Sequence, residues 1–242
     1  MTTSDRPWQD AALAVLGIVL PVACAGCGAP DRALCRACRA VLDAEPRRVR
    51  LVAGVRMDAA FEYGGLVRTL LLELKLRGRV DLARPLALRF GALVRRALAE
   101  APPGTVVLRV PPSPRGARRR GFDPVVLLLA RGGVVRPRAL RRVTARVGWW
   151  PAAVVGSWWA PAAGGGAGPV PDRAGRGQKE RSAVERVAAT VGSLRAVGVA
   201  DRTVVVVDDV VTTGVTMAEA VRAVRAAGGR VVRCVAVASV DE

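Results

Sequence analysis

Two hydrophobic periods take turns along this chain. The stretch "AEPRRVRLVAGVRMDAAFEY" alternates apolar and polar positions and predicts strand structure ending at Phe61–Tyr63, with a turn at Gly64–Gly65. Leu66, Leu70, Leu71 and Leu74 then fall at helical spacing, and Gly78 stops that helix. A second helix is expected from about Leu82 to Glu100, broken by Pro102–Pro103–Gly104. "TVVLRVPP" predicts a short buried strand, followed by an arginine-rich loop, "PPSPRGARRRGFD", and a helix of Leu and Val. A short basic helix is expected from Gln178, and "DRTVVVVDDVVTTG" predicts a buried strand ending in two acids. Helix Val215–Ala227 and a last strand, Val231–Val240, which carries a buried Cys234, close the chain. Strands alternating with helices predict an α/β fold with a mostly parallel sheet.

Two stretches fit neither period. Residues 148–177 mix Trp149, Trp150, Trp158 and Trp159 with Gly, Ala and Pro, which reads as a long irregular insertion. Its Trp pairs either patch the loop onto the domain or stack on a base or a partner. Ala11–Leu20 is the other, an apolar run that Pro21 interrupts. It reads as a short helix packed on the main domain and not as a membrane span, and the leading "MTTSDRPWQD" lacks the positive region of a signal peptide. A cytoplasmic protein is expected.

The cysteines add a module. Cys24, Cys27, Cys35 and Cys38 form two Cys-x-x-Cys pairs separated by seven residues. Four thiolates make a closed tetrahedral set for structural zinc (Zn2+), and the missing export signal disfavours two disulfides. Residues 1–45 are therefore expected to hold an N-terminal helix and zinc module, and 46–242 the α/β domain.

Charge and composition narrow the chemistry. The 242-residue chain has a net charge of +18 and no His, which excludes Ser–His and Cys–His catalytic pairs. The charge is uneven: residues 109–146 hold eleven Arg against Asp123 alone, whereas residues 201–242 hold five Arg against six acids. The middle of the chain is expected to meet anions.

The acidic strand end is the sharpest signal. In a parallel sheet, ligands gather beyond the carboxyl ends of the strands. There Asp208 and Asp209 offer acceptors for vicinal sugar hydroxyls. The turn after them, Val211, Thr212, Thr213, Gly214, Val215 and Thr216, opens a helix whose free amides suit a phosphate. The string resembles the phosphoribosyl pyrophosphate (PRPP) signature of type I phosphoribosyltransferases. With the cysteine pairs, "FEYGGLVRTLLLELKLRGRVDLARPLA", "VPPSPRGARRRGFD" and "QKERSAVERVAATVGSL" in that order, nearly the whole chain except 148–177 is similar to the ComF family of phosphoribosyltransferase-like proteins.

That resemblance implies the following roles. Asp208 and Asp209 hold the ribose hydroxyls, the amides of Val211–Thr216 hold the 5′-phosphate, and Mg2+ arrives with PRPP. Arg115, Arg118, Arg119, Arg120 and Gly121 face pyrophosphate, with Lys75 a further candidate. The "Q…S…ER" pattern maps to Gln178, Ser182, Glu185 and Arg186, while Ala189 and Leu194 depart from the Asn and aromatic residues frequent there. Three functions stay open: a phosphoribosyltransferase acting on a nitrogen base, a non-catalytic competence (DNA uptake) factor that binds PRPP or a nucleotide, and a direct binder of single-stranded DNA. Docking to the uptake machinery would fall to the zinc module. A homodimer is admissible, because related enzymes often dimerise.

Overall fold

A computed structural model describes residues 22–134, 137–143 and 190–240. The Trp-rich insertion, the apolar N-terminal run, and Gln178, Ser182, Glu185 and Arg186 lie outside the described residues.

The first strand segment is a hairpin. β1 (Arg48–Val52) and β2 (Val55–Glu62) pair antiparallel, Val52 facing Val55. The two residues between them, Ala53 and Gly54, both take positive φ, 49° and 74°. That is the backbone a two-residue hairpin needs to match strand twist, and a glycine supplies half of it without strain. A single run of alternation had concealed the reversal, because both strands share one period.

Helix α1 (Arg36–Ala44) precedes the hairpin, and α2 (Gly65–Leu76) follows it. A 3-10 turn at Val80–Leu82 leads into α3 (Ala83–Ala99), and β3 (Val106–Arg109) comes next. The arginine-rich stretch is not a loop as expected. Residues Pro114–Arg120 form helix α4, which Ser113 starts and Gly121 (φ 70°) stops. Asp123 caps α5 (Pro124–Arg131), and three two-residue strands complete the middle: β4 (Arg138–Ala139), β5 (Arg141–Arg142) and β6 (Leu194–Arg195). β7 (Thr203–Val211), α6 (Val215–Ala226) and β8 (Arg230–Ser239) match the expected strand, helix and strand to within a residue or two.

The main sheet has the order β1-β2-β8-β7-β3-β4. All its pairings are parallel except β1–β2. Its faces bury separate apolar sets, as a sheet covered on both sides requires. Val205 and Val207 join Phe61, Leu70, Leu74, Leu86, Phe90 and Leu128 beneath α2, α3 and α5. Val204 and Val206 join Met57, Cys234, Met217 and Val221 beneath α6. Helices α3 and α5 touch backbone to backbone. A Cβ on Gly91 would come within 2.4 Å of the Gly132 carbonyl oxygen, so any side chain there must force the helices apart.

The connections define where a ligand can enter. From β3 the chain leaves toward β4, on one side of the sheet. From β7, the neighbour of β3, it leaves through α6 toward β8, on the other side. The carboxyl ends of β3 and β7 thus flank a topological switch point, the crevice where open α/β sheets bind ligands.

Candidate functional site

The carboxylates lie inside the strand, not past its end. Asp208 pairs with Ala236 and β7 continues to Val211. Both acids are half-buried, while Thr212 and Thr213 are exposed, so the acidic tip opens to solvent. Each acid ties down the next amide: Asp209 N–H donates to Asp208 Oδ1 (2.8 Å), and Val210 N–H donates to Asp209 Oδ1 (2.7 Å). Each carboxylate is thereby oriented through its Oδ1 by its own strand.

Lys75 does not trail into solvent. It sits in the last turn of α2, and its Nζ lies 2.8 Å from Asp209 Oδ2, both side chains largely covered. Asp208 behaves differently. Burial, and then the charge of neighbouring Asp209, push its carboxyl well above the usual carboxylate range, against the pull of the Asp209 amide and of Lys75. A ligand that brings a cation or hydroxyl donors would relieve this crowding.

The turn after β7 is built to leave donors open. Gly214 caps α6 at φ 76°, a left-handed conformation costly for other residues, and it has no side chain to satisfy the helix amides. The first turn of α6 contains no acid. Helix starts carry unpaired N–H groups and partial positive charge, so this one can receive an anion.

The other wall of the crevice comes from β3. Arg109, its last residue, pairs with Asp123, the cap of α5. Asp123 is close enough to raise the Asp208 carboxyl further. Arg142 fixes the chain between β3 and α4 by donating to the carbonyls of Pro111 (2.8 Å) and Pro112 (3.1 Å). Arg115, Arg118, Arg119 and Arg120 lie on α4, with Gly121 at its end. The side chains of Arg118 and Arg119 are exposed. Among the described residues, neither they nor Arg120 form an ion pair with Asp208 or Asp209. The segment and the acids thus follow or end neighbouring strands of the sheet without pairing.

Sequence reasoning missed Arg50, Arg109 and Asp123. Arg50 reaches from β1 to donate to the Thr212 carbonyl at 2.8 Å. No local signal marks it, because 162 residues separate the partners. Arg109 and Asp123 counted only toward a charge tally.

A pocket of about 110 Å3 lies elsewhere, beside the start of β2 and the second half of α3, lined by Arg47, Arg56, Asp58, Arg96, Glu100 and Arg233 among others. Its charges are largely spent on one another, through Arg56–Asp58, Arg233–Asp58, Arg233–Glu100 and Arg96–Glu100. It contains none of the switch-point residues.

The four cysteines converge into a cluster that could hold a metal ion. All four Sγ atoms lie within 4.8 Å of one another, and none is in a disulfide. Tetrahedral zinc would hold its sulfurs about 3.8 Å apart, given Zn–S bonds of about 2.3 Å. Backbone amides already point at them: Cys35 N–H to Cys24 Sγ (3.3 Å) and Cys38 N–H to Cys35 Sγ (3.4 Å). Four thiols this close cannot all ionise alone. The hydrogen bond from Cys35, then burial, push Cys38 up to about 12. The donor set therefore fits a thiophilic ion such as structural zinc. The knuckle is also docked: Ala25, Leu34 and Leu42 pack into the α2–α3 core, and Arg79 donates to the Ala23 carbonyl. Among the described residues no helix is long and apolar enough to cross a membrane.

The family model for the phosphoribosyl transferase domain matches residues 172–242. The match covers less than half of the chain but takes in β6, β7, α6 and β8, and with them both acids and the Gly214 turn. No curated protein matches the chain. The match and the mostly parallel sheet support a phosphoribosyltransferase-like protein of type I.

Proposed function

We propose that the switch-point crevice binds PRPP with Mg2+, and that the protein transfers its phosphoribosyl group to a nitrogen base with release of pyrophosphate. One observation carries the reading: acceptors at Asp208–Asp209 and uncapped helix donors at Thr212–Thr216 sit a few residues apart at one strand end, inside the stretch that matches a phosphoribosyl transferase domain. Ribose hydroxyls need the first and a 5′-phosphate needs the second. Mg2+ would supply charge neutralisation at the pyrophosphate and ribose oxygens. Asp208 and Asp209 would orient the sugar, and Lys75 would hold Asp209 in place until the ligand arrives. The exposed arginines of α4, with Arg115, would meet the leaving pyrophosphate, where charge develops.

The wider resemblance supports a ComF-like protein, with a zinc knuckle stapled to the transferase unit. Free thiols gathered for a metal suit a reducing compartment and hence the cytoplasm. The net charge of +18 and the exposed Arg118 and Arg119 favour a second reading, a competence factor that uses the fold to hold PRPP, a nucleotide or single-stranded DNA without turnover.

Calorimetry of the whole protein with PRPP and Mg2+, beside the Asp208→Asn/Asp209→Asn double variant, tests the site. Heat from the native protein and none from the variant is expected. Equal heats would remove the assignment. Pyrophosphate release from bound PRPP with any base separates the enzyme from the non-catalytic binder. Salt-sensitive DNA binding that survives Asp209→Ala would favour direct nucleic-acid binding.

A further inference from the structure

We propose that Arg142 is a positioning residue for the pyrophosphate wall of the crevice, held in place by the Glu219–Arg222 pair of α6, so that the helix behind one wall also steers the other. The inference rests on the reading of the crevice just given. The chain itself creates the need for such a residue. Val110 N–H donates to the Val207 carbonyl at 2.9 Å, and β3 then runs into Pro111, Pro112, Ser113 and Pro114. Three of those four residues lack an N–H, so the segment cannot continue the ladder and offers carbonyl acceptors instead. Its path sets where α4 and its arginines stand. Arg142 supplies the missing donors, Nη2 to the Pro111 carbonyl at 2.8 Å and Nε to the Pro112 carbonyl at 3.1 Å. A rigid planar fork can hold two successive carbonyls at once, which the single ammonium of a lysine does poorly.

Arg142 is anchored in turn. It pairs with Leu194 in the antiparallel β5–β6 sheet, where Val143 N–H donates to the Ser193 carbonyl at 3.0 Å. The other edge of β6 meets side chains in place of a third strand. Leu194 N–H donates to Glu219 Oε1 at 3.1 Å, and Arg222 Nη2 donates to the Leu194 carbonyl at 3.3 Å. Arg222 also donates to both Glu219 oxygens, at 2.6 and 2.8 Å. Glu219 is 3% exposed and is the one buried charged side chain among the described residues. A buried carboxylate is costly unless it is paired and hydrogen-bonded, and the clamp on Leu194 meets both conditions. Glu219 lies on α6, the helix that Gly214 caps. Contacts therefore run unbroken from that helix through Leu194 and Arg142 to the segment that carries α4.

Two alternatives are a scaffold that adds stability alone and an arginine that touches the anion itself. Calorimetry on the full chain separates them, with inorganic pyrophosphate plus Mg2+ and ribose 5-phosphate as probes and Tm recorded beside each. The proteins are the native chain, Arg142→Gln, Glu219→Gln and the double variant. Arg142 is exposed, so its substitution leaves the core untouched. Arg142→Gln should weaken pyrophosphate about five- to ten-fold, the scale of a hydrogen bond or two, and leave ribose 5-phosphate as in the native protein. Glu219→Gln should weaken pyrophosphate in the same selective way. The double variant should lose no more than Arg142→Gln alone, because both side chains act through one chain of contacts. A scaffold would lower Tm and leave the affinities unchanged, or lower both alike. Direct contact would leave pyrophosphate affinity intact in Glu219→Gln, or make the two losses add. Either pattern overturns the proposal. Should Glu219→Gln not fold, Arg222→Gln takes its place and the same comparison decides. If the native protein binds ribose 5-phosphate but not pyrophosphate, the proposal falls and the β7 tip keeps its ligand. If it binds neither, nor PRPP, the reading of the whole crevice falls as well.

Discussion

Two neighbouring strands of one sheet end in helix starts, and they solve the same problem in opposite ways. After β7, the cap of α6 is Gly214, which offers the helix amides nothing, and the chain runs on for twelve residues. After β3, the cap of α4 is Ser113, whose hydroxyl accepts from Gly116 N–H at 3.2 Å. That helix has Pro114 in its first turn, lasts seven residues and ends in Arg118, Arg119 and Arg120. The first start has no side-chain cap and carries its charge chemistry in two adjacent, half-buried carboxylates. The second closes its own amides and presents cations at its other end. One crevice between them can thus meet a sugar phosphate with backbone dipoles on one wall and diphosphate charge with guanidinium groups on the other.

Variants at the two starts should separate these roles. The largest effect belongs to the acids. Asp208→Asn/Asp209→Asn should abolish measurable PRPP binding with Mg2+ while the protein stays folded, read by calorimetry and circular dichroism. Binding that survives would detach the β7 tip from the ligand. If the four cysteines hold structural zinc, its chelation comes next, as a large loss of Tm, because such sites contribute folding energy outright. In the part that remains folded, the ratio of ribose 5-phosphate to pyrophosphate affinity should hold, since the described knuckle residues pack on the α2–α3 core. A changed ratio would make the metal part of the site.

Gly214→Ala should then cost about 1–2 kcal/mol of stability, the penalty for a side chain in left-handed backbone, and weaken ribose 5-phosphate more than pyrophosphate. Urea melts and titrations with both ligands check this. Ser113→Ala should cost about 1 kcal/mol, as lost helix caps do, and leave ribose 5-phosphate affinity intact. If the two substitutions affect ligands alike, the walls do not divide their labour.

The smallest effect is a pH dependence. In the folded chain Asp208 keeps its proton at pH values where the unfolded chain has lost it. The native state then binds more protons than the unfolded one, so stability of the ligand-free protein falls as pH rises above the ordinary carboxylate range. Asp208→Asn should flatten that fall in Tm as pH rises above the ordinary carboxylate range. A slope that persists in the variant would place the proton elsewhere.

Local pattern made much of this molecule readable. Four valines ahead of two acids and a Thr-Thr-Gly turn specify a buried strand, an abrupt end and a helix start, all from residues that are neighbours in sequence. The paired cysteines were readable for the same reason: seven intervening residues are enough to fold back and bring four sulfurs together. The hairpin reversal at Ala53–Gly54 was not, because its alternation continues through the turn in period if not in direction. Helix α4 was hidden by its glycines and prolines, which mark loops by composition. Here Pro114 occupies the first turn and Gly121 the stop, positions where those residues favour a helix.

The sequence alone determined most of the elements, the four-cysteine set able to hold a metal and the chemical character of the β7 tip, because helix period, strand period and turn geometry act over a few residues. The tertiary structure alone decided which groups share the crevice. It brought Lys75 from α2 to Asp209, Asp123 from the start of α5 to the neighbourhood of Asp208, and Arg50 from the far edge of the sheet to Thr212. Those partners are chosen by the order of strands across the sheet, and strand order is settled by burying both faces at once, a condition no local stretch of chain can express.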